Sequence, residues 1–528
     1  MNNRLSKIID LINNGNYLKA QIELTPFIKE NPHSFDVNKL MAVSLLAQKK
    51  YNKAVPYFEK CYNIKEEDYD VLLNLSFVFL KVQHYEKCIE FANKAMLTDE
   101  TKPGSYQNLA SSYFFLNKLD LAKEYANKSI ELRGGFNSKY FLGVSDLVVL
   151  YADILIARKD HQEFVDYCLQ TLELCYEDDL IIRLLRHDRT LISDKMINAV
   201  QNVIKNSDKI TSKVERHNFV SSAHFILAEY YSVTDKKKSE EHYIAANKYI
   251  ADMQRQSIYN RQKICKSIIH LFKNFDTSAI VQKIDPKKGE GIIFILGMPR
   301  SGTTLTESII STADDVIAGG EKSFFSVQLA SDLKKLIENE PIDLSYEYFD
   351  SLGSRYLDQI KIQRGTKKFF TDKLPENYLY YKFIKLALPG AKFINCYRDP
   401  WDNAISLFKQ NYSINIFYAS SFFGIASEYA NYKHIIQFWR ELDGESFALD
   451  VDYETTVKDT NQIAKKIWDF CGLSGEFSEI KRKDHFGYTA SMQQVTKAIY
   501  PTSLKKDDFA PQKDEFNEYL KSQEAYWG

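Results

Sequence analysis

Small residues spaced 34 apart set a register through the first part of this chain: Ala20, Ala54, Cys88 and Ala122. Three residues before each stand Tyr17, Tyr51, Tyr85 and Leu119, and four after each come Leu24, Phe58, Ala92 and Ala126. Twelve before the last three stand Ala42, Ser76 and Ala110. Small side chains let antiparallel helices approach closely, and large ones fill the holes between them. Four positions agreeing in one register over 1–133 predict stacked helix pairs, each burying its apolar face against the next. Helix should continue beyond, because proline is absent from 104 to 285 and glycine from 144 to 288. Ala223–Ile250 has the look of one more, degenerate pair.

Both breakers return from Gly289, together with the β-rich runs Ile292–Leu296, Lys392–Tyr397 and Phe447–Val451. At 528 residues the chain exceeds one ordinary core. The expected division is a helical-repeat domain over 1–250, a helical connection and polar linker over 251–290, and an α/β domain over 291–528. The first part resembles the tetratricopeptide repeat (TPR). That resemblance implies a superhelix whose concave face takes a protein or peptide partner.

Charge narrows the partners. Lys+Arg is 69 against Asp+Glu at 70, a net charge of −1, so a polycation that coats nucleic acid is not expected. The start, MNNRLSKIIDLINNGNYLKA, lacks the apolar core of a signal peptide, and no apolar run reaches the roughly 20 residues of a membrane span. Seven scattered cysteines without a CxxC pair fit a reducing compartment, and a cytoplasmic location is expected. No HExxH or closely spaced Cys/His set is present, so no metal is expected.

The chemistry concentrates after Ile292. Ile292–Leu296 reads as a buried strand. Gly297-Met-Pro-Arg-Ser-Gly-Thr-Thr304 follows, then a helix-like run over Leu305–Thr312. Strand, glycine-bounded loop and helix make a phosphate cradle, because loop N–H groups and the helix N-terminus face the anion. The two glycines have Walker A spacing, but Thr303 stands where that motif has its lysine. The missing cation argues against a nucleoside triphosphate. Arg300 within the loop suits a single 5′-phosphate bearing one further anionic group. A second anion site follows the strand Lys392–Tyr397. Arg398 at its end and Ser406 in the next helix could reach one phosphate, with Pro400 in that helix's first turn.

Pro299-Arg-Ser-Gly-Thr-Thr304 resembles the 5′-phosphosulfate loop of sulfotransferases that use 3′-phosphoadenosine 5′-phosphosulfate (PAPS). The Arg398…Ser406 pair is similar to the family's 3′-phosphate site. The chain resembles TPR-bearing bacterial sulfotransferases and, in motif order over roughly 291–510, tyrosylprotein sulfotransferases. The resemblance implies a P-loop-like α/β domain with a mainly parallel sheet, PAPS as donor and 3′,5′-adenosine bisphosphate as product. It implies a hydroxylated acceptor: protein tyrosine, saccharide, lipid or small molecule. It also assigns residues. Glu321, in Ala-Gly-Gly-Glu-Lys, matches the base. Lys373 and Arg300 match cations at the transferring sulfonate, and Ser491 a cofactor-segment serine there. Arg300, Ser301, Gly302, Thr303, Thr304, Arg398, Ser406, Tyr453, Ser491 and Lys506 match cofactor contacts. Two features depart from the animal tyrosine enzymes. Gln410 stands where they have an additional arginine, and Lys322-Ser-Phe-Phe325 where they have basic residues for acidic peptides. The alternatives are a TPR scaffold with a non-catalytic nucleotide-binding domain and an atypical P-loop kinase.

Overall fold

The structure, a computed structural model, describes residues 2–136, 138, 145–174, 194–209, 213–251, 255–412, 414–475, 477 and 508–527. The chain forms two compact units, Met1–Asn202 and Val203–Gly528.

The first unit is helical wherever it is described. Tyr17, Tyr51, Tyr85 and Leu119 each open a helix: Tyr17–Glu30, Tyr51–Ile64, Tyr85–Thr98 and Leu119–Leu132. Phe35–Ala47, Tyr69–Lys81 and Pro103–Phe115 alternate with them. Ala20, Ala54, Cys88 and Ala122 are wholly inaccessible, as are Ala42, Ser76 and Ala110. One buried polar pair crosses between repeats, Asn108 Nδ2 donating to Ser76 Oγ at 2.7 Å. The turn before each register helix repeats as well. Gly15, Lys49, Gln83 and Asn117 all have left-handed φ, at 75°, 58°, 62° and 57°. Replacing Ala54 by Leu should overpack the helix contact and destabilise this unit by about 1–3 kcal/mol, read from the thermal or urea midpoint.

The second unit is built on a five-stranded sheet in the order β2-β3-β1-β4-β5. The strands are β1 (Ile292–Gly297), β2 (Val316–Ala318), β3 (Phe369–Asp372), β4 (Lys392–Tyr397) and β5 (Leu449–Asp452). Every neighbouring pair is parallel. β1 is central and buried at all six positions, which accounts for its unbroken apolar sequence. The α/β expectation therefore holds, with β5 starting two residues later than the sequence suggests. The strand C-termini gather the 297–303, 372–377, 397–400 and 452–453 segments at one edge, where open parallel sheets bind ligands.

The unit begins earlier than the change in composition. Helices Lys213–Tyr231, Lys236–Ala251 and Arg255–Asn274 share its core: Phe225, Tyr243, Ile268 and Phe272 cluster with Phe294, Phe383 and Trp439. Asn247 Nδ2 donates to the Phe408 carbonyl at 2.8 Å, and Asn411 Nδ2 to Ser222 Oγ at 2.9 Å. The return of glycine and proline marks where the sheet begins. Which helices pack on that sheet is a separate matter, decided by apolar faces. Among the described residues no helix is long and apolar enough to cross a membrane.

Candidate active site

The loop after β1 needs glycine at both ends. A Cβ on Gly297 would lie 2.3 Å from the Cys396 carbonyl oxygen, and one on Gly302 would lie 2.6 Å from the Tyr453 ring. Between them Arg300 takes a left-handed φ of 69°. A non-glycine residue held there is strained, as happens where a loop must present its backbone to a ligand. Thr303 and Thr304 open the helix Thr303–Ile310, whose first N–H groups lack partners within the helix. Ser301 Oγ is buried without a hydrogen-bond partner.

Arg300 joins this loop to the second anion site. Its Nε donates to Ser406 Oγ at 3.0 Å, and its carbonyl accepts from Arg398 Nη1 at 3.4 Å. The Arg398 guanidinium lies 4.4 Å from the Tyr453 ring centroid, and its Nε is 3.8 Å from Glu454 Oε1. Asn403, in the same helix as Ser406 (Pro400–Phe408), donates to the Pro299 carbonyl at 3.0 Å. Burial, with Arg398 as a neighbouring positive charge, draws Arg300 below its ordinary value. A bound anion near Arg300 would offset both the burial and the neighbouring positive charge.

A second cluster lies at the end of β3. Lys373 is buried, with 1% of its side chain exposed, and its Nζ donates to Glu321 Oε1 at 2.5 Å. Glu321 is 47% exposed, so its other oxygen can meet an incoming group. Its loop is held from beneath. The Lys373 amide donates to the Gly320 carbonyl at 2.8 Å. Glu307, on the helix after the 297–302 loop, accepts from the Gly320 amide at 3.1 Å and from Thr371 Oγ1 at 2.7 Å. A Cβ on Gly319 would lie 2.1 Å from the Thr371 carbonyl oxygen, so only glycine fits there. Tyr412 lies near both clusters. Burial pushes its hydroxyl up to about 12, with Arg300 and Glu321 as its charged neighbours.

Asp372 is fully buried and accepts from Tyr356 Oη at 2.9 Å and Asn377 Nδ2 at 3.3 Å. Burial pushes its carboxyl up to about 7. The folded state thus keeps a proton that the unfolded chain releases at the ordinary carboxyl value, and stability falls as pH rises from about 4 to about 7. Asp372→Asn should flatten that slope, as read from urea midpoints across the same range.

Residues 292–479 match the sulfotransferase family, and 40–68 and 103–135 match the tetratricopeptide repeat. The chain carries a sulfotransferase-family domain. An uncharacterised protein of Aquifex aeolicus is 28% identical over 310 residues, 54% of this chain and 39% of that protein. A Caenorhabditis briggsae protein described as "Putative protein-tyrosine sulfotransferase" is 34% identical over 115 residues, 21% of this chain and 40% of that one. The chain thus spans about two fifths of the length of these curated relatives. The sulfotransferase domain of the Synechococcus PCC 7002 olefin synthase aligns with 46% of this chain and 97% of its own, at 18% identity and a TM-score of 0.33.

Within residues 292–479, Arg300, Ser301, Gly302, Thr303, Arg398, Ser406 and Tyr453 come together around the 297–302 loop, with Thr304 beside Thr303 in the first helical turn. Glu321 and Lys373 form the second cluster. Ser491 and Lys506 lie outside the described residues. Sequence reasoning missed Glu307, Tyr412 and the burial of Asp372. Each is recognisable only by its contacts with segments distant in the chain. Phe324 and Phe325, just past the glutamate, are buried in the core rather than presented to a ligand.

Proposed function

We propose that the chain transfers a sulfonate from PAPS to a hydroxyl acceptor, with Glu321 as general base. The observation that carries this reading is the Arg300 bridge. One residue of the phosphate loop bonds both Arg398 and Ser406, so sites for a 5′-phosphosulfate and a 3′-phosphate adjoin. The residues fit such a group. Ser301 Oγ is buried and unsatisfied, Gly302 leaves no room for a side chain, and Arg398 reaches the Arg300 carbonyl from the second anion site.

When bound, the donor supplies an electrophilic sulfur and a phosphate leaving group. The protein's part is positioning and charge. The N–H groups opening Thr303–Ile310 and the Arg300 side chain hold the 5′ side. Arg398 and Ser406 hold the 3′ side. Glu321 Oε2 accepts the acceptor's hydroxyl proton, because Oε1 is occupied by Lys373. Lys373 is a buried cation that can stabilise negative charge growing on sulfonyl oxygens. The description of the worm relative names tyrosine as acceptor. With Gln410 and the buried Phe324 and Phe325 where the animal enzymes are basic, the class proposed here is the hydroxyl itself.

Calorimetry tests the donor reading. The full chain should bind 3′,5′-adenosine bisphosphate at least about tenfold more tightly than ATP with Mg²⁺, since no lysine follows Gly302 to meet β/γ-phosphates. Preference for ATP would overturn it in favour of a kinase.

A further inference from the structure

Helix Arg255–Asn274 precedes residues 292–479, the part that matches the family, yet it reaches the turn carrying Lys373. Arg261 Nη2 donates to Glu376 Oε1 at 2.6 Å, and its Nε donates to Glu428 Oε1 at 2.9 Å. Glu428, on helix Phe422–Asp443, is 2% exposed. It also accepts from Tyr378 Oη at 2.5 Å and Asn431 Nδ2 at 3.2 Å. Gln262, the next residue on the helix, donates to Ser427 Oγ at 3.1 Å and to Gln523 Oε1 at 2.7 Å. The helix is therefore pinned where Arg261 projects.

We propose that Arg261 is a positioning residue for the sulfotransferase site: by bridging Glu376 to Glu428 it fixes the Lys373–Asn377 turn and so aims Lys373 at Glu321. This rests on the functional reading above. The turn is also packed from the C-terminal side, where Asn377, Tyr378 and Leu379 are buried and Trp439 Nε1 donates to the Tyr378 carbonyl at 2.9 Å. Its first residue is held by the Gly320 carbonyl and its last by Asp372, through the Lys373 amide and Asn377 Nδ2. Glu376 lies between them and is half-buried, with Glu428 and Glu321 as neighbouring negative charges. Without the guanidinium, two carboxylates would share a water-poor space with no counter-charge between them, and the side free to move is the turn. A shift of about 1 Å there would carry Lys373 out of line, which can lower a rate by roughly 100-fold with the donor site intact.

The test uses the full chain as wild type, Arg261→Met, Arg261→Lys and the double variant Arg261→Met/Glu376→Gln. Three readouts are taken. They are the Kd of 3′,5′-adenosine bisphosphate, kcat for its release from PAPS with p-nitrophenol as acceptor probe, and hydrogen exchange over residues 369–380. Arg261→Met should lower kcat about 10- to 100-fold, leave Kd within about threefold, and speed exchange at 373–377. Arg261→Lys should recover part of both losses. The double variant removes the unpaired charge on the turn and leaves only that of Glu428, so it should regain part of the stability while kcat stays low and exchange stays fast. If Arg261→Met does not fold, the lysine and double variants decide the matter. A double variant with wild-type kcat and wild-type exchange would show that only charge burial mattered and would overturn the proposal. So would an Arg261→Met variant with kcat and exchange within twofold of wild type. Wild type that fails to bind 3′,5′-adenosine bisphosphate would overturn the donor reading instead, and exchange at 373–377 would still decide whether Arg261 holds the turn.

Discussion

Glu321→Gln is expected to lower turnover by about 10²- to 10⁴-fold, the usual contribution of a positioned base. Affinity for PAPS should be unchanged or slightly tighter, because a carboxylate beside an anionic sulfonate repels it. The substitution is mild for the fold. Glutamine keeps an oxygen for Lys373 Nζ, and the side chain is 47% exposed. A purely structural glutamate would give the opposite pattern, with a lower melting midpoint and normal turnover per folded molecule. Single-turnover release of 3′,5′-adenosine bisphosphate, with a melt on the same sample, separates them. A wild-type rate in a normally folded variant would move the base elsewhere. Asp372 and Glu376 are poorly suited to succeed it. The first is fully buried, and the second is engaged by Arg261.

Arg398→Ala should weaken 3′,5′-adenosine bisphosphate by about 10- to 100-fold, in line with loss of one or two charge-assisted hydrogen bonds. Adenosine 5′-monophosphate, which lacks the 3′-phosphate, should change by less than about threefold. Ser406→Ala should show the same selectivity with a smaller loss, since a neutral hydroxyl is the weaker partner. Calorimetry with both nucleotides reads the difference. Equal losses for the two ligands would remove the 3′-phosphate assignment. Arg398 would then be the residue that shapes the loop through the Arg300 carbonyl.

The parts legible in the sequence are those that local rules dictate. The register at Ala20, Ala54, Cys88 and Ala122 could be read because the same packing problem recurs and has the same solution each time. β1 and β4 were visible as short apolar runs, and the donor loop by its glycines, which the structure shows to be required by Cys396 and Tyr453. The Glu321–Lys373 contact spans 52 residues and was reachable through family spacing, without any local signal. Arg261 shows the limit. Its partners lie 115 and 167 residues away, and in sequence it is one basic residue among several on a helix. The division at Asn202 was hidden for a related reason. Composition records where breakers occur, and it is silent on which amphipathic face meets which sheet.

Glu307 sits one turn into the helix that follows the 297–302 loop and grips the peptide beside Glu321. The 297–302 loop and the loop carrying Glu321 are thus fastened to the same short rod. On the proposed function these are the leaving-group cradle and the proton acceptor, and a rod carrying both would hold the gap between them steadier than either end's own position. In-line transfer would depend on that gap and not on where the pair lies within the molecule, so thermal motion of the helix would cost the reaction little alignment.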